Sequence, residues 1–281
     1  MRLNHVLVLL AVASPMFCSA ASAQQIFRDS GADASGIQDG VDTFRNLLGG
    51  LNANSPENFD GGRRQINWDA APDSVSDPNA FPGDFFNADF SPRARGIEFK
   101  ETGDTTGFLL SSTEASGQPT DFGFNLFEPF SPERLFTPVG GNTFDVVFYD
   151  PANPEQNALT SGLGVIFSDV DEAALTTMSF FDIDGNLLAQ ESPDAFNGGF
   201  SFLGVAFDEP VIAKVSIVSG DLPILSNGVF GSGLGGSDGV VMDDFIFGEP
   251  TPLGAIPEPT SAGLLIAALI GLGRAGWTRK S

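Results

Sequence analysis

Phe144-Asp-Val-Val-Phe-Tyr149 decides the fold. Phe144, Val146 and Phe148 fall at alternate positions, which in an extended chain puts all three on one side. Runs of the same character, rich in Val, Ile, Phe and Thr, recur on both sides of it. They are Gly96–Lys100, Gly107–Ser111, Phe122–Phe127, Gly164–Ser168, Leu175–Ile183, Leu187–Gln190, Phe200–Phe207, Ile212–Val218 and Val240–Phe247, and Gly, Pro, Asn and Asp separate them. About ten short strands in about 150 residues predict an all-β domain, a β-sandwich or jelly roll. Upstream, Gln65–Asp69 predicts a first strand.

One stretch ahead of the strands has the helical period. In Gly36–Leu48 the apolar residues Ile37, Val41, Phe44, Leu47 and Leu48 share one face, and Gly49-Gly50 ends the pattern. This short amphipathic helix is expected to pack on the sandwich. The boundaries that follow are a signal peptide at 1–23, an N-terminal helix and linker at 24–62 and a sandwich at 63–249. A proline-rich stalk at 250–255 and a sorting tail at 256–281 complete the chain.

Met1–Ala23 has Arg2 near its start, an apolar stretch Val6–Ala13 and the small residues Ala21-Ser22-Ala23, the pattern of a secretory signal peptide cut after Ala23 by signal peptidase. Met16-Phe17 before Cys18 lacks the small residues of a lipoprotein site. Cleavage removes His5 and Cys18, the chain's only His and only Cys. The mature protein then has no imidazole or thiol for nucleophilic catalysis, no histidine-ligated zinc and no disulfide.

Charge gives a second bound. Between Gln24 and Ile256 there are 35 acidic residues and 9 basic ones, and after Leu135 the only base before the tail is Lys214. Such a surface repels phosphates, so nucleic acid is not expected as a partner. The chain has 27 Phe against one Tyr and two Trp. Most Phe occupy alternate strand positions and so belong to a core. Trp68 and Tyr149 are the aromatics best suited to stack on a sugar, and both are expected to be structural. The glycines of Gly228–Gly239 lead into a strand and lack a Lys-Ser/Thr, so they form a loop and no phosphate site.

Three acidic clusters are candidates for chemistry. Asp182-Ile-Asp184-Gly185-Asn186 matches part of a calcium loop but lacks the distal bidentate Glu, and Asp184-Gly185 between two strands predicts a hairpin turn. Asp169 and Asp171 follow an apolar strand and would share a face if it continued, which would suit a calcium ion. Asp243 and Asp244 lie in the last strand. Strict alternation sets Asp244 with Met242 and Ile246, and Asp243 with Val241, Phe245 and Phe247, so one carboxylate is partly buried and needs Arg, backbone N–H or metal. That Asp-Asp-Phe ending resembles the final strand of many lectin-like jelly rolls, in which an Asp often ligates a structural calcium. The stretch Phe167–Asp171, Asp182–Asn186 and Val241–Phe245 also resembles exported domains that carry the tail described next.

Ile256-Pro257-Glu258-Pro259-Thr260 leads into the apolar run Ser261–Gly273, and the chain closes with Arg274, Arg279 and Lys280. A Pro-Glu-Pro box, an apolar helix and a basic end closely resemble the PEP-CTERM sorting signal. That resemblance implies cleavage near the box by an exosortase of Gram-negative bacteria and delivery to the cell surface or extracellular matrix. Thirteen apolar residues fall short of the roughly 20 that cross a bilayer core, and extension to Trp277 includes an Arg274 able to snorkel. The tail is expected to form a transmembrane helix that holds the protein at the inner membrane until processing.

The expected function is that of a surface or matrix protein whose non-catalytic sandwich binds extracellular polysaccharide. The alternatives are a polysaccharide hydrolase working with two carboxylates and a matrix protein without ligand. A structural calcium at Asp169, Asp171, Asp243 or Asp244 is the candidate cofactor.

Overall fold

The computed structural model describes residues 23–112, 127–225 and 236–254. In chain order it begins with β1 (Gln24–Gly31), α1 (Ala34–Leu48), β2 (Arg63–Ile66), β3 (Ile97–Glu101) and β4 (Gly107–Leu110). There follow β5 (Phe136–Val139), β6 (Thr143–Asp150), β7 (Asn153–Leu159), β8 (Gly162–Val170) and β9 (Thr177–Phe181). The last are β10 (Leu187–Glu191), β11 (Phe196–Phe207), β12 (Lys214–Val218), β13 (Val241–Gly248) and β14 (Thr251–Pro252). The signal peptide, most of Phe122–Phe127, part of the Gly228–Gly239 loop and the sorting tail lie outside the described residues. Among those described, no helix is long and apolar enough to cross a membrane.

The strands make two antiparallel sheets packed as a sandwich. Sheet one runs β1-β11-β8-β13-β5-β4, with β2 also on β13. Sheet two runs β10-β9-β12-β6-β7-β14, with β3 also on β6. Between them lies a core of Phe, Val and Ile centred on Trp68, whose ring stacks on Phe136 at 4.5 Å. Trp68 is fully buried with its Nε1 donating to the Asp243 carbonyl at 2.7 Å, so its role is structural.

Two strands answer differently to the same alternation rule. The central strands of sheet two alternate cleanly; in β6 every second residue is buried and the others are half-buried. β13 is buried along its whole length, as is most of β8. The reason is α1, which lies on the outer face of sheet one. Asp33 caps its start by accepting from Gly36 N at 3.0 Å, and Gly49 at φ 99° ends it. Phe44 enters the sheet over Gly164 and Gly204, which face each other across β8 and β11. A Cβ at either glycine would come within 2.7 Å of the Phe44 ring. Ile37, Val41, Phe44 and Leu48 are the buried face; Leu47, expected there, is 43% exposed.

Other departures share a cause. β1, β5 and β7 lack the apolar signature (Gln24–Gly31 reads QQIFRDSG) because neighbouring strands supply the pairing that their side chains do not specify. The 24–62 segment therefore contributes a full strand to sheet one. Thr251-Pro252, read as the start of a stalk, pairs with β7.

Candidate functional site

The structure places the four candidate carboxylates at two places on sheet one. Asp243 and Asp244 sit in β13 under α1, and both are buried. Strict alternation fails here because of a β-bulge. Met242 pairs with Phe167 and Phe245 with Val165, so two residues of β13 stand against Ile166 alone. Met242, Phe245 and Phe247 all point into the core, and Asp243 and Asp244 turn together to the outer side.

Their partners come from three elements. Arg45 on α1 donates to Asp244 Oδ2 at 3.0 Å, and Gln65 Nε2 does so at 2.5 Å. Ser131 N donates to Asp243 Oδ2 at 3.0 Å. Ser131 Oγ lies 3.2 Å from Asp243 Oδ1 and 2.8 Å from Asp244 Oδ1. One hydroxyl hydrogen cannot serve both acceptors. Both carboxyl groups and the hydroxyl are satisfied if Asp243 is neutral and donates to Ser131 Oγ, which donates to an ionised Asp244 paired with Arg45. Burial and the adjacent Asp244 charge hold Asp243 well above the usual carboxylate range, as this requires. Nearby, burial with a contribution from Asp244 pushes Asp69 up to about 6. Sequence reasoning singled out the pair but missed Arg45, Gln65, Ser131 and Asp69, since nothing local connects them. Arg45 stands where a cation would, so the pair does not fit a calcium ion.

Asp169 and Asp171 lie at the far end of sheet one and do not continue a strand face. Asp169 takes a left-handed backbone at φ 66° and accepts from Gly198 N at 2.7 Å, and Asp171 accepts from Asn197 Nδ2. Asp238, not anticipated, joins them by accepting from Asp171 N at 3.2 Å and Glu172 N at 3.1 Å. Burial and the neighbouring Asp charges raise both Asp169 and Asp238. Asp182 accepts from Asp184 N and Asn186 N and closes the β9–β10 hairpin, as the turn reading expected. Among the described residues, no group of three or more His, Cys, Asp or Glu side chains is arranged to hold a metal ion.

The face left open belongs to sheet two. Its register aligns Phe181, Lys214, Val147 and Glu98 in one row and Ser179, Ser216, Asp145 and Lys100 in the next. Lys100 and Lys214 are the only lysines between Gln24 and Ile256, and Tyr149 is the only tyrosine; all three are on this face. Lys214 Nζ bonds Asp145 at 3.0 Å and lies 4.9 Å from the Phe181 ring centre. Lys100 Nζ bonds Glu98 at 2.6 Å and lies 5.6 Å from the Tyr149 ring centre. Each base is thus paired with an acid, and Asp84 and Glu101 line the groove beside Glu98 and Lys100. Four strands at about 4.8 Å spacing make it roughly 14 Å wide.

No family model, no curated protein and no solved structure matches the chain.

Proposed function

We propose that the protein is an exported, exosortase-sorted surface or matrix protein with a jelly-roll-like sandwich that binds a neutral polysaccharide without cleaving it. The observation that carries this reading is the outer face of sheet two. It alternates hydroxyls, amines and carboxylates around two aromatic rings, pairs each amine with an acid, and has no helix over it among the described residues. A polyhydroxylated chain offers both donors and acceptors to such a surface, and rings can pack on its C–H faces. A polyanion would meet the acidic remainder of the protein.

The hydrolase reading is disfavoured by where the unusual carboxyl groups lie. Asp243 and Asp244 are buried beneath α1 and engaged by Ser131 and Arg45. Incubation of the purified protein with a panel of polysaccharides separates the two. Retention with no new reducing ends is the expected outcome; release of reducing ends would establish a hydrolase.

Sorting is proposed on the tail. Pro257, Glu258 and Pro259 are the processing box, the following apolar run is the transient inner-membrane anchor, and Arg274, Arg279 and Lys280 stay cytoplasmic. Replacing the box by alanines in the native host is expected to leave an uncleaved, membrane-held form. Unchanged processing would refute this assignment.

A further inference from the structure

Every large apolar side chain that is exposed among the described residues lies at one end of the sandwich. Ile26, the third residue of β1, pairs with Val205 of β11, which pairs in turn with Leu163 at the start of β8. Leu47 and Leu51 follow α1 down to the same end, where Leu48 packs on Gly162 and Leu51 bridges Arg63. Leu253 follows β14, which pairs with the close of β7. Phe90 sits in the loop that Arg64, opposite Phe247, holds through the Ala94 carbonyl. Ile183 and Leu187 flank the β9–β10 turn, next to the Lys214 end of β12. The most exposed are Leu51 at 61% and Leu187 at 56%, one on each sheet's side. Carboxylates stand at both ends: Asp89, Asp182 and Asp184 lie beside Phe90, Ile183 and Leu187, and Asp169, Asp171, Asp221 and Asp238 lie at the opposite end.

Single exposed leucines on a soluble surface need no explanation, but confinement of all of them to one end does. The chain also leaves the domain at this end, through Leu253-Gly254. Only six residues, 255–260, separate Gly254 from the apolar run at Ser261. Fully extended they span at most about 21 Å. We infer that, before processing, this end rests on the bilayer, its leucines and phenylalanine at the headgroup–acyl boundary, with the end that bears Asp169 and Asp238 directed outward. The inference rests on the reading of the tail as a membrane anchor. The lipid is zwitterionic, because a domain carrying 35 acids and 9 bases is repelled by anionic headgroups. The open face of sheet two then stands at a steep angle to the membrane, free along its length.

The test uses the full chain, its own Cys18 replaced by Ala, in phosphatidylcholine vesicles. An environment-sensitive fluorophore is placed singly at Leu51→Cys, Leu187→Cys or Ser237→Cys, the last exposed at the far end. The expected result is blue-shifted emission, quenched by spin-labelled lipid, at both 51 and 187 and at neither measure for 237. Floating protein with equal, water-like emission at all three sites would overturn the inference while leaving the anchor intact. A shift at 51 alone would mean that the domain lies on its α1 side, and would overturn it too. Protein that does not float with the vesicles would overturn both the anchor reading and this one.

Discussion

The outer faces of the two sheets are built from strands of similar length and meet different fates. Sheet one is roofed by α1, and its central strands are buried on both sides; sheet two alternates and stays open. Under the roof, polar groups are few and both carboxyl groups of the Asp243/Asp244 pair are matched to partners, as low dielectric demands. On the open side, ion pairs are half exposed and individually worth little. A covered face therefore stores stability in specific contacts, and an open one can exchange its contacts for a ligand's.

If that contrast is right, the largest loss comes from breaking the Arg45–Asp244 pair that ties roof to sheet. Arg45→Met leaves the Asp244 carboxylate buried without its cation and is expected to cost about 3–5 kcal/mol in chemical denaturation. A loss below about 1 kcal/mol would mean that α1 is not anchored there. Next comes the groove under Phe44. Gly204→Ala puts a methyl into the ring and is expected to cost about 1–3 kcal/mol, because the helix must lift.

Adjacent Asp243 should behave differently from Asp244. Its neutral form is the native one, so Asp243→Asn keeps shape and charge and is expected to change stability by less than about 1.5 kcal/mol. Asp69 and Asp243 have folded pKa values raised above the unfolded ones. Their contribution is full below the unfolded value of about 3.9 and is lost as pH rises, for Asp69 through about 6. The melting temperature is therefore expected to fall between pH 5 and 7.5, and less steeply in Asp243→Asn. A rise over that interval would contradict the neutral assignment.

On the open side, Ser216→Ala is expected to stay within about 0.5 kcal/mol of the parent. Smallest of all is calcium, which we propose only at Asp169 and Asp171. By easing their repulsion with Asp238, it is expected to raise the melting temperature slightly over chelator at matched ionic strength. Equal melting would leave that end to solvation alone.

How much of this was legible follows the same division. Phe144–Tyr149 announced β6 because one face is wet, and the 3.6 period of Gly36–Leu48 announced α1 because one side is wet. β1, β5 and β7 gave no such signal, since their place is fixed by partners far along the chain. The Asp243/Asp244 pair was visible, but the bulge that turns both to one side depends on β8, and Arg45 is 199 residues away. The open face was invisible for a further reason. Lys100, Asp145, Tyr149 and Lys214 become neighbours only when β3, β6 and β12 pair in register.

The central claim is that the open face of sheet two is the ligand surface. Affinity electrophoresis through gels containing the retained polysaccharide tests it directly, comparing Tyr149→Ala and Ser216→Trp with Asp243→Asn. The account predicts that the first two migrate freely, with unchanged melting temperatures, while Asp243→Asn is retarded like the parent. Equal retardation of all four proteins would contradict it.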